Sequence, residues 1–410
     1  MERAGKEVAG RAQPTLKEIL VGSVKHNTKQ YTMFLALIAI WVTFTFLTEN
    51  VFLTPRNLSN LFVQTVTTAI LAIGMVLVIV TGHIDLSVGS VLGFAGAVCA
   101  MCMIKLEWGV FPSVLATLAV GLAIGAWHGF WVAYRKVPAF IVSLASMLAF
   151  RGLIIGITGG QTQGLEMAPE SVADRFKLIG QGYLPTFGEA VEGQVHDTSL
   201  YLVIAIIAIF VLGSLRRRRA RQQYGFEVLP GHVEALKLGF ISAVIGLFGL
   251  IMVIYLGIPL SVIFVLALMV LFSFIAEDTT FGRHLYAIGG NPDAARLSGI
   301  DVPRHTFGLF MLMGLMTAVA GIVYTARLNA ATTSAGQNAE LDAIAAAVIG
   351  GTSLLGGEGT IFGAIVGALV MTSLDNGMSL MNLDITYQYV IKGLILLLAV
   401  WVDMAQRKRA

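Results

Sequence analysis

Charge is what this chain lacks most. Only 12% of its residues are Asp, Glu, Lys or Arg, about half the share carried by soluble domains. So few ions cannot cover 410 residues against water, and much of the exterior must face lipid. The 56% of hydrophobic residues and the mean hydropathy of +0.81 agree. Cysteine is almost missing. Cys99 and Cys102 are the only two; they stand in an apolar stretch without the strand-and-helix setting of a redox pair, and read as apolar filler. No G-x-x-x-x-G-K-[ST] loop is present to cradle nucleotide phosphates, and no H-E-x-x-H or Cys/His cluster to hold a metal. The seven histidines are scattered singly. These absences argue against an ATPase, a metalloenzyme and a protease, and imply neither cofactor nor metal.

What the chain has instead is a series of long apolar runs. A helix needs about 20 apolar residues to cross the hydrocarbon core, and only helices or closed barrels satisfy the backbone there. The runs lack the two-residue alternation of barrel strands. They predict an all-α integral membrane protein with about twelve transmembrane helices, near 32–48, 60–80, 86–104, 109–134, 138–158, 200–214, 236–256, 258–276, 305–325, 341–355, 359–374 and 386–403. The third and tenth are Gly-rich and begin beside polar residues, so broken or re-entrant helices are expected near 81–90 and 349–360. The 45 glycines fit close helix contacts, as in the ridges Gly121–Gly125–Gly129 and Gly359–Gly363–Gly367. Gly359 to Gly363 also echoes Gly89 to Gly93, a hint of internal repetition.

Lys and Arg set the orientation. With residues 1–31 as a cytoplasmic, uncleaved N-terminal segment and 32–404 as the membrane domain, twenty basic residues fall on the cytoplasmic side and five outside. The loop 159–199 is then external, the basic loop 215–235 and the loop 277–304 are cytoplasmic, and 405–410 is a basic cytoplasmic tail. Beside a membrane helix, Arg216 to Arg221 reads as a topology anchor rather than a nucleic-acid patch. Arg151 and Lys392 lie inside apolar runs. Lys392 is near enough to the outer end to snorkel, and Arg151 could pair with Asp375, Asp384 or Asp85.

Two motifs could carry function. In the loop 277–304, Asn291 is a natural N-cap, Pro292 suits the first helical position, Asp293 favours the dipole and Gly299 is a left-handed stop. A plain connection needs no such marks. A short rigid docking helix is expected, with Ala294, Ala295, Arg296 and Leu297 as its exposed body. The second motif runs T-G-H-I-D-L-S-V-G-S from Thr81 to Ser90. Asp85 looks like the N-cap of the third helix. Two readings stay open: a simple cap at the surface, or a break at membrane depth lining a pathway. Asp85, Ser87, Gly89, Gln64 and Asn376 are the candidate pathway residues.

These motifs, with E-L-D-A-I-A-A-A-V-I-G-G-T-S-L-L-G-G-E-G-T from Glu340 to Thr360, resemble the permeases of bacterial monosaccharide ABC importers from about residue 50 to 403. The ribose, xylose and multiple-monosaccharide permeases are the nearest. The stretch near 212–260, with Y-G-F-E-V at Tyr224 to Val228, is similar to the xylose and multiple-sugar branch. His83 departs from the family, which usually has Gly there. The resemblance implies import of xylose or a related pentose or hexose across the bacterial inner membrane. It also implies a separate ATPase subunit, a periplasmic sugar-binding protein, a second permease copy, and Asn291 to Gly299 as the coupling helix. An ion-coupled secondary transporter is the rival, and would leave the capped helix unexplained. The charge asymmetry makes the topology testable: a reporter fused at residue 180 is expected to be active only outside, and one at 225 or 290 only inside. An external signal at 290 would reverse the orientation.

Overall fold

The computed structural model describes residues 28–188, 194–226, 228 and 230–407. The readings of segment 1–27 and of the last three tail residues fall outside these. The helices in chain order are α1 (Thr28–Leu47), α2 (Pro55–Val80), α3 (Val88–Lys105), α4 (Val110–Gly129), α5 (Ala139–Thr158), α6 (Glu170–Gln181), α7 (Asp197–Gln223) and α8 (Gly231–Ile254). They continue with α9 (Leu260–Asp278), α10 (Thr280–Gly290), α11 (Pro292–Leu297), α12 (Val302–Leu328), α13 (Ala339–Ile349), α14 (Ile361–Leu380) and α15 (Ile385–Arg407). One π-turn prolongs α4 to Tyr134. The only strands among the described residues are β1 (Gln163–Gly164) and β2 (Ala330–Ala331), paired antiparallel. Nine helices among the described residues are long and apolar enough to cross a membrane: α2 to α5, α7 to α9, α12 and α14. The apolar parts of α1 and α15 are shorter.

The helix ends follow from local chemistry. Thr54 accepts from the Asn57 amide ahead of Pro55, Asp301 from that of Arg304, and Thr360 from that of Gly363. Each cap satisfies an amide that the first helical turn leaves free. The core sits around α2, which is apolar on every side because it is enclosed on every side. From Thr65 to Val80 only Thr68 is not buried. The second pillar, α12, packs on α2, α3 and α4. By contrast α7 and α8 form a peripheral hairpin with exposed apolar side chains such as Ile209 and Phe240, the composition of a lipid-facing surface.

Two expectations change. The tenth apolar run is not a continuous helix over 341–355. α13 has 11 residues, about 16 Å of rise, which is too short to cross. A non-helical stretch, 332–338, leads into it from β2, and the turn 350–360 follows it. Lys392 does not reach for the outer surface. Its Nζ lies 2.7 Å from Asp342 and 3.1 Å from Asp375, which ties α15 to α13 and α14.

The glycine ridges are packing devices. Gly121 and Gly125 lie against the backbone of Gly314 and Phe310 in α12, and Gly363 and Gly367 against Gly350 and Ala346. A side chain at Gly125 would meet main-chain atoms of Phe310 and Met311, which cannot rotate away, whereas Gly152 faces open space. Gly125→Leu is therefore expected to lower stability by about 3 kcal/mol, at the upper end of overpacking costs. Gly152→Leu should change it by less than about 0.5 kcal/mol. Thermal unfolding in detergent reads both, and equal midpoints would refute the packing role.

Candidate translocation pathway and coupling surface

Two pieces of non-helical backbone meet inside the bundle. The first is residues 81–87, between α2 and α3. Asp85 is 2% exposed, and its Oδ1 accepts from the Ser87 amide at 2.8 Å and the Ser87 hydroxyl at 2.6 Å. Asp85 thus closes a turn ahead of the helix. The N-cap of α3 is Ser87 rather than Asp85, because the carboxylate is spent on that turn. The other carboxylate oxygen lies 3.9 Å from Nδ1 of His128, which is also buried.

The second piece is 332–338. Its backbone groups are met partly by its own tight turns, Ala335 to Thr332 and Gln337 to Ser334. Arg151 of α5 meets others. Its guanidinium donates to the Ala335 carbonyl at 2.9 Å and to that of Thr333 at 3.5 Å. Arg151 is therefore satisfied by main-chain carbonyls rather than by Asp375, Asp384 or Asp85. Backbone without a helix survives at membrane depth only when protein groups replace water, and Arg151 supplies that replacement.

The first turn of α3, just after the first piece, meets the second piece at Gly89 and Gly336. A methyl group on Gly89 would overlap both the Gly336 carbonyl and the Glu340 carboxylate, and one on Gly336 would overlap the Gly89 carbonyl. Gly336 also has φ +68°, which other residues adopt with strain. Gly89 is thus at the crossing, with Asp85 and Ser87 in the turn that leads to it. Gln64 and Asn376 lie elsewhere. Asn376 exchanges two side-chain hydrogen bonds with Asn57, at 2.9 and 3.0 Å, and Gln64 is half-buried on α2. Sequence reasoning missed Glu340, Arg151 and His128 as members of the cluster.

The expected docking helix forms. Asn291 accepts from the amides of Asp293 and Ala294 at 3.1 and 3.0 Å, Pro292 opens α11, and Gly299 follows it with φ +86°. One detail differs. Ala295 is buried against the rest of the protein, while Leu297 is 90% exposed. Asp293, Ala294 and Arg296 share the exposed side. α11 is carried on α10, and α10 touches the start of the first piece and the turn 350–360 that follows α13. Gly289 packs against the carbonyl of Val80, where 81–87 begins, and against the amide of Gly357, in the turn after α13. That amide itself donates to the Val80 carbonyl at 2.8 Å. Tyr286 donates to the Gly359 carbonyl at 2.7 Å. Burial, with Glu277 adding, pushes the Tyr286 hydroxyl up to about 12, so it keeps its proton to donate. No group of three His, Cys, Asp or Glu among the described residues is arranged to hold a metal ion.

A bundle of apolar helices with paired breaks inside it and a rigid capped helix at one end is the build of a membrane permease. The chain belongs to the family described as branched-chain amino acid transport system / permease component, whose model matches residues 57–400. It is 47% identical to the xylose transport system permease protein XylH of Escherichia coli (strain K12), over 94% of each chain. It is 45% identical to XylH of Haemophilus influenzae, over 93% of this chain and 98% of that one. It is 36% identical to the ribose import permease protein RbsC of Escherichia coli (strain K12), over 92% of each. No solved structure matches it.

The contacts of α10 generate a test. Tyr286→Phe removes one hydrogen bond at a part-buried carbonyl and leaves the ring. It should cost about 1–3 kcal/mol at that contact and lower transport several-fold with membrane levels unchanged. Uptake by the Phe variant equal to that of the parent would remove Tyr286 from the linkage.

Proposed function

We propose that this chain is the membrane-spanning permease subunit of an ATP-driven importer that carries xylose or a related pentose or hexose across the bacterial inner membrane. The observation that carries this reading is the mechanical continuity from α11 through α10 to Val80, where 81–87 begins, and to the turn 350–360 after α13. ATP hydrolysis in a separate subunit has to be converted into motion of this one. A helix capped at both ends passes on a displacement that a flexible loop would absorb. α10 delivers it to Val80, at the root of 81–87, and to Gly357, in the turn at the far end of α13 from 332–338. The names of the relatives supply the substrate class, and the absence of any phosphate-binding loop from the sequence places hydrolysis in a partner.

In this reading the N- and C-termini lie in the cytoplasm with α10 and α11, which the split of basic residues supports. The path through the short α13 then still makes a pass, because 332–338 enters from the side of β2 and 350–360 returns to that of α10. A second permease copy and an external sugar-binding protein complete the assembly, the latter facing α6 and the 159–199 loop. Asp85, Ser87 and Gly89 line the closed point of the pathway.

Leu297 is the apolar anchor that the exposed side of α11 offers a partner. Buried apolar anchors dominate protein interfaces, at about 2 kcal/mol or more each. Leu297→Asp should leave insertion intact, weaken retention of the ATPase subunit by more than about tenfold, and abolish uptake. Lys237→Ala, on the same side, should do almost nothing. Uptake in the parent should stop on ATP depletion and survive an uncoupler. Normal uptake by Leu297→Asp with the ATPase still bound would move the docking surface elsewhere. Loss of uptake with the uncoupler alone would favour an ion-coupled carrier.

A further inference from the structure

Glu340 is the second residue of α13 and is 8% exposed. Its Oε2 has no hydrogen-bond partner among the described residues, and it lies against Gly89 in the first turn of α3. The next residue along α3, Ser90, is fully buried, and its hydroxyl also lacks a partner. One carboxylate oxygen and one hydroxyl without partners among the described residues thus lie next to or at Gly89, where α3 closes on 332–338. Buried acceptors and hydroxyls are nearly always hydrogen-bonded. Arg151, the nearest cation by charge interaction, is engaged by the Ala335 carbonyl instead. Leaving a carboxylate oxygen unmet works against closure, and a ligand rich in hydroxyl donors would reverse that.

We infer that Glu340 is a sugar-contacting residue of the pathway, sealed by Gly89 when the crossing is shut and met by substrate hydroxyls when it parts. The inference rests on the permease reading proposed above. It assigns the polyhydroxylated substrate a specific acceptor that an apolar or anionic solute could not use. A carboxylate oxygen accepts from a sugar hydroxyl. The amide oxygen of Gln also accepts, while Leu offers nothing. The site therefore distinguishes the two substitutions although both remove the charge.

The test uses the full transporter reconstituted in vesicles, with Cys99 and Cys102 replaced by Ala and Ser90→Cys as a reporter thiol. At rest the thiol should be unreactive to a small water-soluble thiol reagent. During ATP turnover it should react, and D-xylose should slow that reaction at least about threefold. Glu340→Gln should keep this protection and uptake within about threefold of the parent. Glu340→Leu should lose the protection and at least about tenfold in uptake, while its thiol still becomes reactive under turnover, which shows that the variant folds and cycles. If the thiol never reacts under turnover, the crossing is not on the pathway and the pathway reading itself falls. If it reacts but xylose gives the Leu variant the same protection, or gives the parent none, the pathway stands and the assignment of Glu340 is overturned.

Discussion

Backbone amides and carbonyls that make no helix cannot be left in lipid, and this molecule keeps two such stretches inside its bundle. Residues 81–87 are met by the Asp85 side chain and by carbonyls of α2. Residues 332–338 are met by their own turns and by Arg151. Everything around them serves that requirement. α2 must be enclosed on all sides, α12 must approach α4 through glycines, and Gly89 and Gly336 must lack side chains so that the two stretches can close on each other. Each unmet group in such a place costs several kcal/mol, about as much as a whole domain can spare. The interior is therefore built around polar backbone rather than around apolar packing alone.

The same requirement explains why the closed point can open. A continuous helix is cooperative and resists being split, whereas two turns held by a few side chains can part and be met by water or by the hydroxyls of a sugar. The elements that could drive the parting are short and stiff. α11 has both ends fixed and presents Leu297 outward, α10 carries it, and Gly289 sits where a larger residue would push Val80 and Gly357 apart. One small displacement of α10 thus acts on the root of 81–87 and, through the turn 350–360, on α13, whose other end follows 332–338. The peripheral hairpin of α7 and α8 takes no part in these contacts.

Much of this was legible in the sequence because it is written in local chemistry. Asn291, Pro292 and Gly299 mark α11 wherever they occur, and long apolar runs announce membrane helices whatever their packing. The break before α3 was visible because Asp85 interrupts an apolar run. The stretch 332–338 was not. T-T-S-A-G-Q-N reads as a surface turn, and only its contacts with Gly89 and with Arg151, distant in sequence and half-buried on α5, bury Ala335 and Gly336 at its centre. The orientation of α11 was also out of reach, since six residues hold less than two turns and no period separates Ala295 from Leu297. Lys392 looked free to snorkel because its partners Asp342 and Asp375 stand on other helices.

The central claim is that the start of α3, just after 81–87, is sealed against 332–338 at Gly89 and Gly336 at rest, and that the nucleotide-driven movement of α10 frees both stretches, the first through Val80 and the second through the turn 350–360 and α13. Amide hydrogen exchange on the assembled transporter tests it most directly, comparing the resting complex with one trapped by ATP and vanadate. The account predicts slow exchange in peptides covering both stretches at rest and a faster rate in both after trapping, with α2 unchanged between Thr65 and Val80. Exchange that stays slow in both, or rises in one stretch while the other remains closed, would contradict it.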